Sequence, residues 1–188
     1  GIRYPLWSRG LGDVYKRQGA EEIRELLVSG SSDRWDPLTE LCLLYAARRD
    51  HWLKLIKPNL EQGIWVISDR FADSSIVYQG YAGDIELDTV LNIHNVVLGE
   101  VWPDLTIVLD LPPELGLERS NKRDTANNSK DTRFEKRELQ FHKLLREGFQ
   151  YLQSKSPDRI CVVDGTKTIE EVELEVFSVI QKRFVGLK

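Results

Sequence analysis

Apolar positions recur along the chain in two rhythms, and the alternation between them predicts an α/β protein. From Gly19, GAEEIRELLVSG sets Ile23, Leu26 and Leu27 at helical spacing, with acids in the first turn. Asp36-Pro37 reads as an N-cap followed by proline at the first helical position. The helix it opens runs through LTELCLLYAARRDHWLKLIK, bends at Pro58 and ends at Gly63. Ile64 to Ser68 (IWVIS) is a continuous apolar run, the pattern of a strand covered on both faces. Glu86 to Leu98 is helical, and Leu105 to Leu111 (LTIVLDL) is a second buried strand. A helix starts at Glu114 and runs to about Ser120, and a long charged amphipathic helix covers Phe134 to about Ser154. Ile160 to Asp164 (ICVVD) is a third strand, and Ile169 to Phe184 the last helix. Strands separated by helices imply right-handed crossovers and a parallel, doubly wound sheet with helices on both faces.

The first eighteen residues, GIRYPLWSRGLGDVYKRQ, have neither helical nor alternating periodicity. They carry Arg3, Arg9, Lys16 and Arg17 against Asp13, a net +3 in a chain whose whole charge is −4. GLGDVYKRQ looks like translated adaptor sequence, so residues 1–18 read as a non-native or disordered leader. The other reading is a basic arm.

Composition narrows the class. The chain has 188 residues, 41% hydrophobic and 30% charged, as expected for one globular domain with a real core. No apolar run approaches the ~18 residues of a membrane span, and no secretory signal opens the chain. No membrane association is expected, and a cytoplasmic location follows as the default. The negative net charge argues against a nucleic-acid partner. Cys42 and Cys161 lie far apart, without metal-ligand spacing, and read as reduced core thiols. His51, His94 and His142 fall in helical segments with no nucleophile arrangement nearby.

Candidate chemistry gathers at the strand ends. They read Ser68-Asp69-Arg70, Asp110-Leu111-Pro112 and Asp164-Gly165-Thr166. Ligands of open α/β sheets bind outside the carboxyl ends of the strands. Asp69 can face a metal-bound phosphate and Arg70 can grip a phosphate bidentately, unless the two form a structural ion pair. On the long helix Leu38, Leu41, Cys42, Tyr45, Trp52, Leu53 and Ile56 share a broad face, and Arg48 and Arg49 fall inside that arc. One should pair structurally and the other reach the crevice; the helical wheel does not say which. Arg119 to Arg133 is a polar stretch with Lys122, Arg123 and Lys130, net +3, suited to a lid over polyphosphate or to a solvated loop.

These residues carry a resemblance. DRFADSSIVYQGYA, Asp69 to Ala82, closely resembles the DR-aromatic and S-x-x-Y-Q-G signature of bacterial thymidylate kinases. EEIRELL, LLYAARRDHWLKLIKP, GIWVISDRF, PDLTIVLDLPPELGLER, FEKRELQFHKLLREGF and VVDGT follow in the family's order, so the likeness covers Gly19 to about Phe184. It implies a P-loop kinase-like domain over 19–188, with a lid at about 119–133. It also implies phosphoryl transfer from ATP to dTMP, giving dTDP, with Mg²⁺, and a homodimer. By resemblance, Asp69 faces Mg²⁺ and the phosphates and Arg70 holds the dTMP phosphate. Arg48 reads the thymine edge, Ser75 and Gln79 hydrogen-bond the base, and Tyr78 closes the nucleoside pocket. Arg119, Arg123 and Arg133 are the lid's candidates for polyphosphate contact. Asp164, Gly165 and Thr166 match the turn beside the adenine.

Two departures stand out. The family often places an aromatic ring, which stacks on thymine, one turn before the base-reading arginine; here that position is Leu44, with Tyr45 beside it. The second departure is the absence of the strand-GxxxxGK[ST]-helix pattern from the 188 residues. The first strand and the phosphate-cradling amides are then missing, and an exposed sheet edge, poor stability and little or no turnover are expected. The competing functions are a kinase for another nucleoside monophosphate and a non-catalytic nucleotide-binding fragment. The apolar positions Leu87, Val90, Leu91, Val97 and Leu98 offer a face for a twin subunit or for the chain's own core.

Overall fold

The computed structural model describes residues 18–29, 34–119 and 139–184. They fall into two compact units, Gly1–Val101 and Trp102–Lys188. The leader, the stretch 120–138 and the first residues of the helix expected from Phe134 lie outside the described residues.

The first unit is helical. Helix α1 (Gln18–Val28) packs on α2 (Pro37–His51), and α2 packs in turn on α5 (Leu87–Leu98). The expected bend of the long helix is graded rather than sharp. After His51 the backbone widens into a π-helical segment, Trp52–Ile56, and returns to α-helix in α3 (Lys57–Glu61) around Pro58. Gly63 ends the run with φ +73°, a left-handed conformation that glycine adopts without steric cost. A second composite helix follows: α4 (Ala72–Ser75) continues into a π-helical Ile76–Tyr81. Leu27, Leu41, Tyr45, Ala72, Ile76, Val77, Val90 and Leu98 are buried in this unit.

Asp36 starts α2 as its neighbours dictate. Its Oδ1 accepts from the amides of Leu38 (3.0 Å) and Thr39 (3.1 Å), and Pro37 occupies the first turn, where no amide donor is needed. The hydrogen bond from the Thr39 hydroxyl, helped by the Thr39 amide, holds the Asp36 carboxyl below its ordinary 3.8. A carboxyl depressed in the folded state stabilises above its unfolded value and loses that contribution as pH falls through the folded one. Asp36→Ala is therefore expected to lower the urea midpoint at pH 7, with the gap to the wild type closing below pH 4. Urea titrations at both pH values check this.

The second unit holds the sheet. Strands β1 (Thr106–Asp110) and β2 (Ile160–Asp164) pair in parallel, with Thr106 opposite Ile160 and Asp110 opposite Asp164. The segment between them supplies α6 (residues 113–119) and α7 (Leu139–Lys155), and α8 (Ile169–Arg183) follows β2. Both α7 and α8 pack against β2, covering Ile160 and Val163. Thr168 and Glu171 form a reciprocal capping box at the start of α8.

One expected element is absent. Ile64 to Ser68 is not a strand: no ladder partner runs beside it among the described residues, and Ile64, Trp65 and Ile67 are exposed. A strand exists only through hydrogen bonds to a neighbouring strand, so an apolar run without one stays irregular however β-prone its residues are.

Candidate functional site

Helix α2 brings one stripe of side chains to the composite helix 72–81. Glu40, Leu44 and Arg48 stand at i, i+4 and i+8 and so lie along one side of α2. Arg48 Nη2 donates to Ser75 Oγ (3.0 Å) and to the Phe71 carbonyl (3.3 Å). Its guanidinium lies 4.5 Å from the Tyr45 ring centroid and 5.8 Å from that of Phe71, within cation–π range. Arg49 points elsewhere, giving Nη1 to the Val97 carbonyl (2.6 Å) in the last turn of α5. The question the helical wheel leaves open is thereby answered: Arg49 ties two helices together, and Arg48 faces the signature segment.

Electrostatics around Arg48 follow from burial. Its Nη1 is shielded from solvent and has no hydrogen-bond partner among the described residues. Burial pulls the guanidinium below its ordinary value, opposed by Tyr45 and Asp73. Asp73, 4% exposed, lies between the two groups Arg48 bonds in sequence and supplies negative charge to it. Tyr45, 1% exposed, sits under the guanidinium and meets His94 edge-on at 5.9 Å. Burial raises the Tyr45 phenol above its usual 10, Arg48 lowering it and Asp73 raising it further.

The remaining first-unit candidates form two further contacts. Arg70 stacks over Tyr78, 4.8 Å from the ring centroid. Gln79 Nε2 donates to Glu40 Oε1 (3.1 Å), both side chains being buried. Asp69 is exposed beside Arg70, and Leu44 is half-buried. Glu40, Phe71 and Asp73 were not among the sequence candidates. An acid on the buried stripe of α2, eight residues before Arg48, was the readable signal for Glu40.

In the second unit, Asp164 Oδ1 accepts from the Thr166 amide (2.9 Å) and hydroxyl (2.7 Å). The hydroxyl contact, with the amide's help, holds the Asp164 carboxyl below its ordinary value. The Gly165 amide donates to the Asp110 carbonyl (2.7 Å), and a Cβ at Gly165 would stand 3.1 Å from that oxygen. Arg119 Nη1 donates to the Gly165 carbonyl (2.7 Å), so the end of α6 and the Asp164-Gly165-Thr166 turn come together. Asp110 is engaged by Arg146 through two 2.7 Å bonds, a bidentate pair that sequence reading did not foresee. Arg123 and Arg133 lie outside the described residues.

Two cavities adjoin some of these groups. An open groove of about 470 Å³ runs between α2 and α5, lined by Cys42, Arg49, Leu53 and Val97 among others. A smaller one, about 150 Å³, flanks Asp110 and Arg146. No three His, Cys, Asp or Glu side chains cluster as metal ligands among the described residues, and no described helix is long and apolar enough to cross a membrane.

The chain has relatives among known proteins. The thymidylate kinase family model matches residues 16–176. A thymidylate kinase of Dinoroseobacter shibae is 47% identical over 177 residues, covering 94% of this chain and 81% of that protein. One from Caulobacter vibrioides is 44% identical over 165 residues, covering 88% and 77%. The crystal structure of thymidylate kinase from Ehrlichia chaffeensis superposes with a TM-score of 0.64 at 32% identity, over 86% of this chain and 73% of that one. That likeness agrees with the expected α/β fold class with a parallel sheet. With the family model spanning the signature segment and the helix that carries Arg48, the chain belongs to the thymidylate kinase family of nucleoside monophosphate kinases.

Proposed function

We propose that this chain provides the acceptor site for phosphoryl transfer from ATP to dTMP, giving dTDP. The observation that carries the reading is Arg48, fixed on Ser75 and Phe71 inside the family's signature segment. A part-buried guanidinium with a shielded Nη1 that has no hydrogen-bond partner among the described residues presents donors and no acceptor, which suits a base edge carrying a carbonyl oxygen. Ser75 and Gln79 hydrogen-bond that base. Tyr45 acts from beneath by supporting Arg48, and Leu44 packs against the ring. Arg70, held over Tyr78, grips the monophosphate, and Tyr78 closes the nucleoside pocket.

The donor side belongs to the second unit. The Asp164-Gly165-Thr166 turn flanks the adenine of ATP, and Arg119, with Arg123 and Arg133, neutralises polyphosphate charge. Mg²⁺ suits the residues present: it keeps several waters and needs only one or two carboxylates besides substrate phosphates, and Asp69 is an exposed carboxylate beside Arg70. Bound there, the ion would shield phosphate charge during transfer. The chain acts in the cytoplasm as a homodimer, and Leu91 and Val96 are apolar side chains left exposed on α5.

Binding and turnover separate in the test. The 188 residues contain no GxxxxGK[ST], whose amides and lysine hold the β- and γ-phosphates. Calorimetry is expected to show dTMP bound in preference to dUMP, dCMP and AMP. A coupled ADP-release assay is expected to give turnover at least 100-fold below the ~1–100 s⁻¹ ordinary for kinases. No dTMP binding overturns the proposal. Turnover at an ordinary rate overturns the role given to the missing loop.

A further inference from the structure

The contact between Glu40 and Gln79 has a chemical consequence for base choice. A glutamine amide can turn either end toward a ligand, its carbonyl as acceptor or its NH₂ as donor, and the two ends are nearly alike in shape. A carboxylate removes that freedom, because it only accepts. Glu40 Oε1 stands 3.1 Å from Gln79 Nε2, with Glu40 5% and Gln79 7% exposed. The NH₂ end is therefore committed to Glu40, and the carbonyl oxygen is turned the other way.

The neighbouring groups share the composite helix. Ser75 and Gln79 are four residues apart, across the junction of α4 with the π-helical segment 76–81, whose wider turn brings i and i+4 nearly into line. Arg48, bonded to Ser75, is donor only. A donor from Arg48 and an acceptor from Gln79 match a pyrimidine with a ring N–H beside a carbonyl oxygen. They mismatch cytosine, whose ring nitrogen accepts and whose exocyclic amine donates.

We propose that Glu40 is a specificity-determining positioning residue: by fixing the Gln79 amide it selects thymine-type over cytosine-type bases without touching the nucleotide. The inference rests on the dTMP reading above and deepens it. Arg48 alone would disfavour an exocyclic amine but would leave Gln79 free to turn and greet a cytosine ring nitrogen with its NH₂. A locked amide leaves both positions mismatched, and an unsatisfied polar group in a closed site discriminates more strongly than a missing contact.

Glu40→Gln keeps size and shape but lets residue 40 donate as well as accept, so the Gln79 amide can reverse. The ratio of dCMP to dTMP dissociation constants, measured by calorimetry, is expected to fall at least about tenfold, the scale of one mispaired hydrogen bond. The exchange variant E40Q/Q79E restores an acceptor at position 79 with a donor behind it, and is expected to recover the preference for dTMP. A structural role alone would weaken both nucleotides equally and would not be repaired by the exchange; that result overturns the proposal. Should E40Q not fold, the side-chain amide of Gln79 in the wild type gives the reading by NMR, its signal assigned by loss in Q79L. A displaced, slowly exchanging NH₂ proton supports the lock, and a solvent-averaged one overturns it. If the wild type binds no dTMP at all, the functional reading fails, while the amide signal still reports separately on the contact.

Discussion

Replacing Arg48 by methionine is expected to weaken dTMP binding by at least about tenfold and to lower stability together. The guanidinium holds the buried Ser75 hydroxyl and the Phe71 carbonyl, covers Tyr45 and balances the buried Asp73. Methionine fills much of the same volume but donates nothing, so the acceptors and the carboxylate are left without their cation. A hydrogen bond from a charged group to a ligand contributes about 1.5–3 kcal/mol, so affinity should fall by roughly 10- to 150-fold for one lost contact and further for two. Removing the cation beside a buried carboxylate and hydroxyl should cost about 2–3 kcal/mol of folding stability. Arg48→Lys separates the two effects. It keeps the charge beside Asp73 and recovers part of the stability, but a single ammonium cannot bond Ser75 and Phe71 and still present a fork to the base. Calorimetry with dTMP and urea unfolding of all three proteins test this. Methionine-variant affinity within threefold of the wild type would remove Arg48 from the site.

Leu41→Ala is expected to be the most damaging apolar truncation in the first unit. Leu41 is fully buried on α2, the helix against which α1 and α5 both pack. Loss of its methyl groups and the cavity left behind cost about 2–5 kcal/mol. Against total stabilities of about 5–15 kcal/mol, that is a large fraction. The melting temperature should drop by on the order of 10 °C. Because Leu41 adjoins Glu40, loosening α2 should also weaken dTMP binding before global unfolding is visible. Leu38→Ala, at a position 47% exposed on the same helix, should shift melting little. Scanning calorimetry of the two variants distinguishes a buried anchor from a merely apolar face.

Much of the molecule is legible from local rules. Asp36-Pro37 specified a helix start, and the structure has Asp36 accepting from the Leu38 and Thr39 amides. LTIVLDL and ICVVD read as buried strands; they pair in parallel as β1 and β2, while Leu109 and Val162 stay exposed. The spacing of Asp69, Arg70, Ser75, Tyr78 and Gln79 carried the family. What failed is instructive. IWVIS has the same apolar character as the two true strands, yet forms no ladder among the described residues. Composition states how well a segment would suit a sheet, not whether a neighbour stands beside it to accept its hydrogen bonds. Asp110 and Asp164 end the two paired strands at matching positions, but Asp110 is taken up by Arg146, a residue with no local link to it.

The sequence by itself determined the start of α2, the bounds of α5 and α8 to within a residue, and which family the signature belongs to. Those properties depend on residues within a turn or two of each other, where spacing alone sets geometry. Only the tertiary structure decided that Arg48 rather than Arg49 faces the signature segment, that Tyr45 lies under that guanidinium, and that Glu40 holds Gln79. The last pair is separated by 39 positions. A helical wheel gives the direction of a side chain from its own axis, and only packing brings a second helix to that direction.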